Sequence, residues 1–162
     1  MRRWPKWTWQ LIPLLPCGVT WALLPVYAGE GVPSDRNSCL SHVKQLTLGL
    51  IMYSDDSEGK PPLRDSWMTD SEPYTKNFGI EHCSKVQEPG LYGYAFNASV
   101  KTLKDDAAPA RTRLVYDSVN YAKNASDLGD SIPQPGRHKG RNNVSFVDGH
   151  AKSIDPRQRA SQ

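Results

Sequence analysis

Most signatures of a catalyst are missing from this 162-residue chain. It has no phosphate-cradling glycine loop, no GxGxxG and no HExxH. Its Ser145 lies in Val144-Ser145-Phe146 rather than in the GxSxG elbow of a hydrolase. No repeat of 20–50 residues is present, which excludes a solenoid or propeller. Cysteine is scarce, with three in all and no CxxC pair, so a zinc-ribbon type of site has no sequence support. The length fits one domain with a modest core.

Net charge is also nearly absent once its distribution is considered. Residues 1–28 contain Arg2, Arg3 and Lys6 and no acid, and the remaining 17 Lys and Arg are matched by 17 Asp and Glu. Residues 29–162 are therefore neutral overall, and general nucleic-acid binding is not expected. The first 28 residues read as a signal peptide or membrane anchor: a basic start leads into the uncharged run Thr8–Ala28, which ends Val26-Tyr27-Ala28 before Gly29. Four of the five tryptophans lie in this segment. Pro13, Pro16 and Pro25 interrupt it, which favours a cleaved leader over a permanent membrane helix. With Cys17 in the leader, Cys39 and Cys83 remain in an exported, oxidising setting. There they most simply form one disulfide closing a loop of about 45 residues, which contributes on the order of 3–4 kcal/mol. A metal site is the alternative, less favoured for want of a close cysteine pair.

Beyond a linker at 29–36, Asn37 or Ser38 is expected to cap a helix running to about Ser54. Leu40, Val43, Leu46, Leu50 and Tyr53 form its apolar face. Asp55 to Pro62 stops the helix. Trp67 to Ile80 holds a short helix or turn, and strands follow at Leu91–Asn97 and Thr112–Ser118. Residues 119–137 read as an irregular loop. Asp148-Gly149 predicts a two-residue turn with both residues at positive φ, joining Val144–Val147 to His150–Ile154. That register places Val144, Phe146 and Ala151 on one face and Val147 and Ile154 on the other. The expected fold class is α+β: a helix packed on a small antiparallel sheet that ends in a C-terminal hairpin, over residues 37–155 and followed by a disordered tail at 156–162.

Two groups of side chains invite a chemical reading. His138, Asp148 and His150 would form an oriented His–Asp pair if the chain folds back, as in a metal-dependent enzyme. The competing expectation, which we favour, is that Asp148 serves the turn and His138 bonds a loop, because no nucleophile in a recognisable setting accompanies them. Asp55, Asp56 and Glu58 could hold calcium, although they lack the alternating oxygen spacing of an EF-hand loop. No residue is assigned a catalytic role, and calcium is the one cofactor the composition suggests.

Cys39-Leu40-Ser41-His42-Val43-Lys44-Gln45-Leu46, followed by Met52-Tyr53-Ser54-Asp55-Asp56, resembles the segment after the membrane helix in bacterial prepilin-like proteins, relatives of the major pseudopilin of type II secretion. Cys83, Tyr92–Asn97, Leu114–Ser118 and Arg137-His138 through Asp148-Gly149-His150 match that family in order, the last as its His-x9-Asp-Gly motif. The resemblance covers roughly residues 39–154. It implies a pilin-like fold, a Cys39–Cys83 disulfide, His138, Asp148 and Gly149 as family motif, and no catalytic activity. It further implies an exported protein of the periplasm, cell envelope or exterior, whose partners are other pilin-like subunits or secretion-system proteins, with the membrane engaged through residues 1–28 if they are retained. The departure is at the start, where Lys6-Trp7-Thr8-Trp9-Gln10-Leu11 lacks the glycine and glutamate of a prepilin cleavage site. A periplasmic ligand- or calcium-binding module built on the same head is the alternative.

Overall fold

The computed structural model describes residues 35–156, with side chains from residue 38. The leader or anchor at 1–28 and residues 157–162 of the expected tail lie outside the described residues. Helix α1 spans Asp35–Asp56 and α2 spans Trp67–Thr75, followed by a 3₁₀ turn at Phe78–Glu81. Five strands follow: β1 Tyr94–Asn97, β2 Arg113–Asp117, β3 Ser126–Asp127, β4 Asn142–Phe146 and β5 Ala151–Ile154. Helix α1 already contains Asn37 and Ser38, so neither is its cap, and the linker ends before Asp35. The α+β class is correct. Among the described residues, no helix is long and apolar enough to cross a membrane.

The sheet order is β3-β1-β2-β4-β5, and it is mixed rather than antiparallel. The exception is β3, inside the stretch read as irregular loop, which pairs parallel to β1 through Phe96–Ser126 and Asn97–Asp127. Helix α1 lies on one face, where Cys39, Val43, Leu46 and Leu50 pack with Trp67, Met68, Tyr94, Phe96, Leu114 and Val115. The other face buries Ala95, Tyr116, Val144, Phe146 and Ile154 beneath Ala125 and Ile132 of the 119–137 loop. Adjacent Leu114 and Val115 both face the helix because the β2–β4 register slips by one between Arg113 and Tyr116, a bulge. Ser145 mends that bulge: its buried hydroxyl accepts from Val115 N (3.1 Å), donates to Val115 O (3.1 Å) and accepts from Thr47 of α1 (2.5 Å).

The C-terminal hairpin forms where expected, but with a different turn. Ser145 pairs with Ala151, Phe146 N donates to His150 O and Gly149 N to Phe146 O, which leaves a three-residue loop, Val147-Asp148-Gly149. Only Gly149 has positive φ (87°), the arrangement of a tight turn closed by a glycine bulge. The extra residue inverts the facing of β5, so Ile154 joins Val144 and Phe146 while Ala151 lies with Ser145. The two-residue turn with two positive φ values sits instead at Lys139-Gly140 (55° and 82°), between the mutually bonded His138 and Arg141.

The conformation of Gly149 yields a prediction. A Cβ there would meet Ile51 Cδ1 at 3.4 Å and Leu48 Cδ2 at 3.7 Å, so space is adequate and the backbone sets the cost. Gly149→Ala is expected to lose about 1–2 kcal/mol through left-handed strain. In a thermal melt that is a drop of roughly 3–8 °C. An unchanged melting temperature would show that the hairpin relaxes to another turn.

Candidate functional site

The most unusual group of side chains lies between α1 and the sheet. Cys39 points inward from α1, one turn before Val43 on the same face. Cys83 follows the 3₁₀ turn and is anchored by its N–H on Tyr92 O (3.0 Å). Asp117 ends β2, and His138 opens the Lys139-Gly140 turn. All four are at most 1% exposed. The loop carrying His138 doubles back so tightly that a Cβ on Gly136 would lie 2.5 Å from the backbone of Arg141, which accounts for glycine there.

The Cys39 and Cys83 sulfurs are 3.5 Å apart and belong to free thiols. Bonded disulfide sulfurs would stand at about 2.04 Å. Cys83 Sγ is 3.6 Å from His138 Nε2, which is itself 3.3 Å from Asp117 Oδ2. The Asn143 N–H donates to the same Asp117 oxygen at 2.5 Å, and Arg137 Nη1 stands 3.9 Å from Asp117 Oδ1. Arg137 is fixed by donating to Gly93 O (2.7 Å) and to Ser118 O. Ser84 Oγ lies 3.2 Å from Cys39 Sγ. Two atoms of the cluster have no hydrogen-bond partner: His138 Nδ1 and Asp117 Oδ1.

The two thiols differ electrostatically. The hydrogen bond from Cys83 pulls the Cys39 thiol well below the ordinary range, with Ser84 adding to the effect and burial opposing it. The Cys83 thiol is pushed up by its contact with Cys39, then by burial and by the Asp117 charge. Burial pushes the Tyr94 hydroxyl well above its usual value.

Of the residues singled out in the sequence, Cys39, Cys83 and His138 come together, and Asp148 and Gly149 do not join them. His138 takes Asp117, not Asp148, as its carboxylate, because the hairpin turn lies at the far end of β4. Asp148 instead holds His150 at 2.5 Å on the exposed turn. In the acidic loop, Asp56 accepts from Tyr74 (2.9 Å) and exposed Glu58 pairs with Lys60 (3.0 Å). Among the described residues, Cys39, Cys83 and His138 are the one group of three side chains able to converge on a cation. Asp117, Tyr94 and Arg137 were not singled out. A carboxylate closing the apolar run Leu114-Val115-Tyr116 was the available signal, since a charge there needs a buried partner. Comparison with protein-family models, with curated proteins and with solved structures finds no match to this chain.

Proposed function

We propose that the chain is an exported, pseudopilin-like protein of the bacterial cell envelope, working in a type II secretion or type IV pilus-like system through protein–protein contacts rather than by turnover. The observation that carries this reading is the use made of the His-x9-Asp-Gly segment. His138 is sealed against Asp117 in the interior, and Gly149 turns the hairpin against Leu48 and Ile51 of α1. The motif joins the last two strands to the helix, which is a task of architecture. Beside that turn, Leu48 and Met52 lie one turn apart on α1, 45% and 51% exposed, a short apolar ridge suited to another pilin-like subunit. Residues 1–28 would deliver the domain to the envelope, either cleaved before Gly29 or kept as an anchor.

A photo-crosslinking amino acid at Met52, in cells producing the full chain, tests the reading. Adducts with a second pilin-like subunit of the envelope are expected, with Met52→Glu abolishing partner pull-down from the same cells. Recovery of uncrosslinked chain alone would overturn the proposal. Intact-mass measurement then separates the two delivery routes, since a mature chain starting at Gly29 is the released form.

A further inference from the structure

We propose that Cys39, Cys83 and His138 form a structural binding site for a thiophilic divalent cation of the zinc type, with the Asp117 carboxylate beside His138. The argument is first geometric. Tetrahedral bonds of about 2.3 Å to sulfur and about 2.0 Å to nitrogen or oxygen place two sulfurs about 3.8 Å apart. The same bonds place sulfur and nitrogen about 3.5 Å apart, and nitrogen and oxygen about 3.3 Å apart. The observed separations are 3.5 Å for Cys39–Cys83, 3.6 Å for Cys83–His138 and 3.3 Å for His138–Asp117. The two sulfurs and the imidazole nitrogen all lie within 4.8 Å of one another. A disulfide would require the sulfurs to close by about 1.5 Å to reach bonding distance, whereas these three separations lie within about 0.3 Å of the tetrahedral values.

Charge and second-sphere contacts agree with the geometry. Binding a dication releases the thiol protons to solvent and leaves two thiolates that neutralise it. Arg137, already fixed on Gly93 and Ser118, then stands against the remaining charge of Asp117. The Asn143 N–H on Asp117 Oδ2 orients that carboxylate. The four side chains come from α1, the loop after the 3₁₀ turn, the end of β2 and the 136–141 turn, so one ion would staple the helix to the sheet. With every ligand buried, the ion is acquired as the chain folds.

The test uses the full chain, purified from cells under inert gas without chelator. Elemental analysis is expected to find one zinc per chain. Exchange into cobalt(II) is expected to give the intense visible bands of a tetrahedral ion and a sulfur-to-cobalt charge-transfer band. Cys83→Ser and His138→Ala are expected to weaken cobalt binding at least about tenfold. His138→Cys keeps the site and strengthens the charge-transfer band by about half, as two thiolates become three. Should a variant fail to fold, cobalt titration of the reduced wild-type chain decides alone. A chain without stoichiometric metal whose Cys39 and Cys83 peptides are disulfide-linked would overturn the proposal. Two reduced thiols that give no charge-transfer band with cobalt would do the same.

Discussion

Asp117→Ala is expected to remove about 3–5 kcal/mol of folding stability, a large part of the 5–15 kcal/mol that a domain possesses. The carboxylate is wholly buried and faces three groups that could each bond it. The Asn143 N–H donates to it, His138 Nε2 lies 3.3 Å away and the Arg137 guanidinium 3.9 Å away. Truncation leaves the amide without an acceptor and a nearly buried cation without its counter-charge. The penalty of those deserted groups exceeds the worth of any one lost bond. Asp117→Asn retains the shape and an acceptor for the amide but not the charge, so about half the loss is expected. Urea unfolding followed by Trp67 fluorescence, with thiols reduced and chelator present, measures both without contribution from a bound ion. A loss below about 1 kcal/mol in the alanine variant would mean that water or Arg137 rearrangement satisfies the cluster.

That cluster marks where reading the sequence stopped. Helix α1 was legible because Val43, Leu46 and Leu50 repeat at helical spacing, whereas α2 fills only part of the Trp67–Ile80 stretch read as a short helix or turn and contains Pro73. Even in α1 the buried stripe includes Cys39, Thr47 and Ser54, whose polarity hid them, while Leu40 and Tyr53 are only partly covered. The hairpin was legible in position but not in register, since Asp-Gly suits both a two-residue turn and a three-residue loop with glycine left-handed. One residue of difference moved Ile154 and Ala151 to opposite faces. Asp117 and His138 are 21 positions apart with a loop between them, and no local pattern encodes their meeting. Cys39 and Cys83 were read together as a disulfide pair, and His138 was singled out separately. Only the packing of α1 across β1, β2 and β4 made them one group.

Strand β3 was the other omission, and it motivates the second large prediction. A two-residue strand has no period of its own; it is a strand because its neighbours hold it. Trp67, fully buried in α2 and stacked on Phe96 with ring centroids 6.0 Å apart, donates Nε1–H to Ala125 O (2.9 Å). The same carbonyl accepts Phe96 N (2.9 Å), and Asp127 O accepts Ala98 N (2.8 Å), so the indole fixes the start of β3 against the edge of β1. Asn124 adds a second tie, its side-chain oxygen accepting from Met68 N and Thr69 N in the first turn of α2. Trp67→Ala is therefore expected to cost about 3–5 kcal/mol through the cavity it leaves. It should also release this edge beyond the global loss. Trp67→Phe refills most of the volume and leaves Ala125 O with its Phe96 partner, so about 1–2 kcal/mol is expected. Amide hydrogen exchange separates the local effect from the global one. In Trp67→Phe, protection at Phe96 and Ala98 should fall further than at Phe146, whose N–H bonds His150 O across the hairpin. Equal loss at all three amides would mean that Trp67 supports the core alone, and that the parallel pairing of β3 rests on the Asn124 tie and on the burial of Ala125 and Ile132 against the far side of the sheet.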